Sequence, residues 1–482
     1  MKLLGFAPDL DDHTEGVITD CEMIEPTMKG MAGAPSLITP SGVSALPSAC
    51  QGASLNLQLD GTFRLFAGTA TKLYESTAWT DVTRAVGGNY TGTADTRWCF
   101  AQFGNVALAS NKADAMQKSV GSGAFSDLAG APKAKFIDTV AGFVMAANYN
   151  DGTDTVDGWY CSAFEDYTDW VADIGTQCAF GRLLDTPGEI TGMKALAENA
   201  IVYKLDAIYI GQYVGAPFIW SWQLISGEIG AVSQEAIVDI GNAHVFMGRN
   251  DIWLFDGTRP HSIAEGIRDW FYNQELNPLY AYKTIGAHNK NKSLVYFYYV
   301  SRSSTSIDSC IIYNYKAGKW SRANRSIEAA LEYRVGGYTY ASFLTAYSLY
   351  SSIPALSYGS PFWSSNTPVI GVFDTTHTLK SLTGSSTSSS LTGGWFGDDL
   401  SYMVVQRVTP RFIEAPDTVT VTNYYVNNSG DSASTGATNS MNRGRVGVYK
   451  RAKWHKMKLT FTGDYEITDY IVQAQRAGNE GL

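Results

Sequence analysis

Apolar and polar positions recur along this chain in one order. A short apolar strand reaches a small polar turn, and a second strand rich in aromatic side chains follows. The order is readable at Phe63–Gly68, turning through 69–71 into 72–75, and at 105–110, turning through 111–114. It returns at 143–148 into 159–164, at 201–203 into 207–211, at 244–247 into 252–256, and at 294–300 into 307–314. Turn centres lie roughly 40 to 55 residues apart, about the length of one four-stranded blade. The spacing predicts an all-β chain built around a β-propeller. A ring of blades is a scaffold and leaves function open.

The rhythm runs over 56–382 and is interrupted in places. Residues 1–55 show little strand periodicity and hold Pro8, Pro26, Pro35, Pro40 and Pro47, a third of the 15 prolines. They read as an extended arm lying over the body or reaching a neighbour, with an irregular lead-in to the first blade as the alternative. A helix is expected over 262–277. Ser262 and Glu265 match a capping box, and Ile263, Ile267, Trp270 and Phe271 share one face. Residues 322–368 are rich in Tyr and Ser and read as an aromatic insertion, either a contact loop or tip or a local mini-core. A hairpin is expected over 369–382. Residues 383–394 have linker composition, and 395–482 alternate as a closing set of strands, a small C-terminal β-sheet or a β-sandwich.

Composition supports an all-β reading. The 482 residues include 28 Tyr and 47 Gly, while charged residues make up only 17%. Aromatic side chains suit half-buried pleated surfaces, and glycine suits tight turns. So low a charge fraction fits a surface covered by copies or partners; an ordinary Thr/Ser/Asn-rich monomer surface is the alternative. The net charge of −10 argues against tight phosphate-directed nucleic-acid binding. It leaves open a surface that nucleic acid slides past. Six scattered cysteines, Cys21, Cys50, Cys99, Cys161, Cys178 and Cys310, form no CxxC and read as small buried hydrophobes made in a reducing compartment. Residues 3–6 are too short an apolar stretch for a secretion signal, and no run is long enough to span a membrane as a helix.

No catalytic constellation is readable. His13, His244, His261, His288, His377 and His455 are far apart in sequence. There is no GxSxG elbow, no GxxxxGK[ST] loop and no GxGxxG after a strand. The stretch SAFEDYTDW (162–170) partly matches a sialidase turn but lacks its glycine and its repetition. Neither an enzyme, a cofactor nor a metal is expected. One electrostatic feature stands apart. Between 432 and 463 there is no acidic residue, yet Arg443, Arg445, Lys450, Arg451, Lys453, Lys456 and Lys458 gather there. Such a basic face could meet an acidic partner or DNA, or it could be a solvated strand face that guards a sheet edge.

The stretches FRLFAGTATKLYESTAWTDVTR (63–84), FAQFGNVALASNKAD (100–114), APKAKFIDTVAGFVMAAN (131–148), WYCSAFEDYTDW (159–170) and FMGRNDIWLFDGTRPHSIAEGIRDWFYNQEL (246–276), with the leader FAPDLDDHTEGVITDCEMIEPTMKG (6–30), follow one another in a telling order. In that order the chain resembles the tail hub, or nozzle, proteins of short-tailed bacteriophages, many of which are known as packaged-DNA stabilisation proteins. The resemblance covers most of 6–320 and is weaker in the Tyr-rich stretch and the C-terminal strands. It implies a non-catalytic virion protein, made in the bacterial host cytoplasm and placed in the viral tail. It implies a homohexamer that extends the tail tube below portal and adaptor, retains packaged DNA and conducts it during ejection. The implied partners are the adaptor above, fibre, needle or tailspike proteins, and double-stranded DNA passing non-specifically through the lumen, with no membrane insertion by this chain. The alternative is a propeller-type receptor- or glycan-binding module of a virion; a glycoside hydrolase comes third.

Overall fold

The computed structural model describes residues 2–334, 347, 349, 351, 353, 367–428 and 431–479. Among these, seven four-stranded antiparallel sheets follow one another as blades. Blade 1 begins at Ala53–Leu57 and blade 2 at Cys99–Phe103. Blades 3 to 6 begin at Lys133–Val140, Ile190–Leu196, Ile237–Asp239 and Ile285–Asn289, and blade 7 at Ala329–Arg334. Each first strand touches the first strand of the next blade, and that of blade 7 touches that of blade 1, so the ring is closed. The chain is a β-propeller.

The hairpins legible in the sequence are the second and third strands of the blades. The second strand Leu294–Tyr299, LVYFYY, is buried at every position, as are Val106–Ser110 and the third strand Ser309–Asn314. These strands sit between two neighbouring blades, so both of their faces are covered and their apolar run is continuous rather than alternating. Burying each large side chain contributes about 1.5–3 kcal/mol. Outer strands face solvent and carry a weak signal: Thr80–Asp81 and Ser126–Asp127 are fully exposed.

Each junction between adjacent blades has its own apolar core. Phe136, Phe143, Met193 and Tyr209 fill the junction of blades 3 and 4, and Tyr203, Ile208 and Phe246 that of blades 4 and 5. Between blades 5 and 6 the core does not stop at the blade edge. Val245, Phe297 and Ile311 join Phe6, Ile24, Val408, Leu459 and Phe461 in one cluster. The second half of that cluster belongs to a β-sandwich.

The sandwich is built from both ends of the chain. Its seven-stranded sheet runs Gly5–Phe6, Val17–Glu22, Ser388–Gly393, Trp454–Thr462, Thr418–Val426, Ser434–Ser440, with Phe396–Gly397 paired to Trp454–Thr462. Its five-stranded sheet runs Ile24–Pro26, Met31–Gly33, Glu466–Asn479, Ser401–Glu414, Val446–Ala452. In Trp454–Thr462 the residues His455, Met457, Leu459 and Phe461 are buried while their neighbours are only half-buried, the period-two pattern of a strand with one covered face.

Several expectations are corrected here. Residues 1–55 are not an arm. They supply four sandwich strands, then Ser36–Ile38 as the fourth strand of blade 7, then the first strand of blade 1. Leu37 pairs with Leu382 and Ser36 with Gly384, where an added Cβ would lie 2.2 Å from Ser36 Oγ. The short strands are interrupted by Pro and Gly, so their partners, hundreds of residues away, leave no local trace. The segment 383–394 is not a linker: Ser388–Gly393 is a buried sandwich strand. The insertion does not begin at 322, because Lys319–Asn324 and Ala329–Arg334 are blade strands and Tyr333 is core. Tyr338, Tyr340, Tyr350, Tyr358, Phe362 and Trp363 lie outside the described residues.

The helix expected over 262–277 is shorter and later. Ser262 ends the strand Pro260–Ser262, and helical structure covers only Arg268–Trp270 and then Phe271–Glu275 as a π-turn. Its cap comes from the other end of the chain. The Asp9 carboxylate accepts hydrogen bonds from the backbone N–H groups of Asp269 (2.7 Å) and Trp270 (2.8 Å), and Phe6 packs edge-on against Trp270 at 4.8 Å. A long-range carboxylate thus does the work that a local capping box was expected to do.

Candidate partner-contact surface

The seven basic residues that stand out in the sequence lie on three parts of the sandwich. Arg443 and Arg445 are exposed in the turn between Ser434–Ser440 and Val446–Ala452. Lys450, Arg451 and Lys453 sit at the other end of Val446–Ala452. Lys456 and Lys458 lie on the outer face of Trp454–Thr462, opposite Tyr424 and Thr422 of the neighbouring strand. One linear cluster is therefore not one patch, because a seven-residue strand separates its two ends.

Most of these cations are already engaged. Lys450 Nζ stands 3.9 Å over the Tyr425 ring, and its hydrogen bond to the phenol holds Tyr425 below the ordinary tyrosine range. The Arg451 guanidinium lies 4.4 Å over Tyr402, with Lys453 Nζ 5.7 Å from the same ring. Such contacts at exposed sites are worth about 0.5–1 kcal/mol each. Lys456 Nζ lies 3.5 Å from the Asp12 carboxylate and 5.6 Å over Trp395.

The acid-free run is met by acids from elsewhere in the chain. Asp12 is the acid that pairs with a cation of the run, at Lys456; Asp399 accepts from the neutral Trp454 Nε1 (2.7 Å), Asp398 pairs outside the run with Arg476 at 3.5 Å, and His13 packs on Trp454 at 4.6 Å. No sequence window would reveal this compensation, since Asp12 reaches the strand only through the fold. Among the described residues, no ion pair engages Arg443, Arg445 or Lys458. These three retain the charge a partner could read.

Beneath this face, buried polar groups are satisfied internally. His455 is fully buried, with Nε2 3.2 Å from the Met403 carbonyl and Nδ1 beside Asn423; burial lowers its pKa. At the junction of blades 4 and 5, His244 lies between Tyr203 Oη (2.9 Å) and the Ala195 carbonyl (3.0 Å). Burial lowers its pKa to about 4. The neutral imidazole donating from Nε2 and accepting at Nδ1 satisfies both contacts.

A second polar feature was missed in the sequence. Arg97, before the first strand of blade 2, donates twice to the Glu235 carboxylate before blade 5, both at 2.8 Å, and to the Glu328 carbonyl before blade 7 at 3.1 Å. Glu328 in turn accepts from the Cys50 backbone N–H at 2.9 Å. Blades 2 and 5 are not neighbours, so this pair must cross the axial channel at the end where the first strands begin. Sequence separations of 138 and 231 residues hide it from any motif search.

Among the described residues, no group of three or more His, Cys, Asp or Glu side chains is placed to hold a metal ion. Burial pushes the thiols of Cys21, Cys50, Cys99 and Cys178 up to about 12 and that of Cys161 to about 11, far from the thiolate range needed for attack. No described helix is long and apolar enough to cross a membrane.

No protein-family profile matches this chain, and no curated protein matches it. Among solved structures it is similar to YCF48 bound to a D1 peptide, at 11% identity and a TM-score of 0.37, covering 72% of this chain and 97% of that one. It is also similar to Hsv2 of Kluyvelomyces marxianus, at 10% identity and a TM-score of 0.29, covering 48% and 64%. Likeness at this level carries no argument about function.

Proposed function

We propose that this chain is a structural ring component of the tail of a short-tailed bacteriophage. Six copies stand below the portal and adaptor, lengthen the tail tube, retain the packaged genome and conduct it on ejection. The observation that supports this reading is the order of the resembling segments. Segments 63–84 and 100–114 fall in blades 1 and 2, segments 131–148 and 159–170 in blade 3, and 246–276 in blade 5. The leader 6–30 supplies sandwich strands that dock beside blade 6. The resembling segments thus fall in blades 1, 2, 3 and 5 and in the N-terminal strands of the sandwich.

Physical chemistry fits the role. A net charge of −10 suits a conduit that must pass DNA without holding it. A propeller locked to a sandwich is a rigid wedge, and wedges joined head to tail close by rotation. Two measurements test this. The purified chain should give six-fold rings in class averages. Particles assembled without it should package DNA and then lose it, read as nuclease-sensitive genome in the purified fraction. Full retention without the chain overturns the reading, and a trimer at the particle periphery would favour a receptor-binding module.

A further inference from the structure

Most blades end in a very short outer strand. Thr80–Asp81, Ser126–Asp127, Ala179–Arg182, Pro260–Ser262 and Ser36–Ile38 have two to four residues. Two outer strands are longer. Lys319–Asn324 of blade 6 has six residues and is covered by the sandwich: Ser321 Oγ donates to the Ile24 carbonyl at 2.6 Å, and Gly5–Phe6 and Val17–Glu22 lie against it. Ile219–Ser226 of blade 4 has eight residues, and no described strand pairs with its outer edge.

That edge lacks the usual protection. Exposed edge strands are normally blunted by charge, proline within the strand, bulges or brevity, and this strand has register shifts only at its two ends, with Ile219 at positive φ. Here no charged residue occurs between Asp206 and Glu228. Pairing runs regularly from Tyr209–Leu224 to Tyr213–Trp220 between two irregularities, so a straight ladder edge is presented. At the tip Phe218 is 79% and Val214 52% exposed. The acidic loop 163–178 of blade 3, with Glu165, Asp166, Asp169 and Asp173, leans on this hairpin, its Phe164 stacked on Tyr213 at 6.0 Å.

The chain carries a complementary edge. Of the four edge strands of the sandwich, Gly5–Phe6 and Ile24–Pro26 lie against blade 6. Val446–Ala452 is blunted by the charges of Lys450 and Arg451. Ser434–Ser440 remains. It is largely exposed, has no charged residue, and in its sheet is the strand farthest from Gly5–Phe6. A bulge bends it between Thr435 and Thr438 without adding charge. Beside it stand Arg443 and Arg445, which no described carboxylate engages.

We infer that the blade 4 strand Ile219–Ser226 of one copy takes up the sandwich strand Ser434–Ser440 of a second copy, adding a fifth strand to the blade. Main-chain hydrogen bonds hold the added strand, Arg443 and Arg445 face the acidic loop 163–178, and the uncharged tip around Phe218 is covered. The two edges differ, so the contact is head to tail, and copies add until the ring closes and no such edge is left free. The number of copies rests on the ring reading above; the two surfaces do not.

The test uses two double variants of the full chain, Ser221→Lys/Gln223→Lys and Thr435→Lys/Ala437→Lys, all at exposed positions. Light scattering after size exclusion gives mass, and circular dichroism melting checks the fold. The wild type should assemble, each variant should be monomeric and still melt cooperatively, as the wild type does once diluted to monomer, and an equimolar mixture should stop at a one-to-one dimer. That dimer forms because each variant retains the edge the other has lost. If a variant misfolds, hydrogen exchange on the wild type decides instead: amides of 219–226 and 434–440 should be protected in the assembly and lose that protection on dilution to monomer. Rings that persist in both variants, or unprotected amides in an intact ring, overturn the strand pairing and leave the ring reading standing. A variant mixture that stays monomeric overturns the pairing of these two edges. A wild type that is monomeric at every concentration overturns both.

Discussion

The outer strands of blades 6 and 4 are the two long rims of this ring, and they have opposite fates. At blade 6 the rim is internal. Trp320 is 3% exposed, packs on Tyr313 at 4.5 Å and donates its indole N–H to the Ile263 carbonyl. Beside it, buried Glu25 from the N-terminal strand pairs with Lys292 at 2.7 Å and also takes the Tyr296 hydroxyl. At blade 4 the rim is bare, with exposed Ser221, Gln223 and Leu224 and a solvent-facing Phe218. Blade 6 teaches that a long rim strand in this fold exists to be covered, and that the cover comes from a remote part of the chain.

The contrast breaks most sharply on deletion. Removing residues 1–33 strips four strands from the sandwich and bares the rim of blade 6. The expected loss exceeds the roughly 5–15 kcal/mol that holds a typical domain together. The truncated chain should be insoluble, or should lack a cooperative melt. A soluble, cooperatively melting product would show that the sandwich is dispensable.

A single substitution separates the two rims next. Trp320→Ala should cost about 3–5 kcal/mol, as expected for emptying a buried aromatic site. Phe218→Ser, at the tip of the bare hairpin, should shift the stability of the monomer by no more than about 0.5 kcal/mol. Denaturant titration of both variants checks this, and similar midpoints for the two would erase the distinction.

The inner end of the bare side responds to pH. His244 joins blades 4 and 5, and its folded pKa lies below the ordinary value. A depressed folded pKa means the neutral form is favoured in the fold. Its contribution is fully present above about 6.5 and is lost as pH falls toward about 4, where it amounts to about 3 kcal/mol. His455 in the sandwich adds a loss of the same sign. His244→Gln should flatten the fall in melting temperature between pH 7 and pH 4.5 relative to wild type; an unchanged slope would remove His244 as the sensor.

The smallest effect belongs to the charges that first drew attention. Lys456→Met breaks a partly exposed pair with Asp12, and exposed pairs contribute about 0–1 kcal/mol. Melting should move by no more than a few degrees, and the shift should vanish at high salt. A larger loss would mean that the outer face of the sandwich is more tightly knit than its exposure implies.

Much of the propeller was legible in the chain itself. Strands such as LVYFYY and VALAS announce themselves because neighbouring blades cover both faces, so their side chains are buried and almost all apolar or aromatic, and a constant blade size makes their spacing regular. The basic run 443–458 was equally visible, yet its meaning was not. Burial is a local property repeated at each position, whereas charge compensation depends on where a remote carboxylate such as Asp12 arrives. The tertiary structure alone decided that the proline-rich opening is sandwich and ring closure, that Asp9 caps a helix about 260 residues away, and that Arg97 reaches across the channel to Glu235. These pairings join short, irregular segments through hydrogen bonds and ion pairs, which need no hydrophobic period. Local sequence therefore determined the blades, and long-range geometry determined what fastens them together.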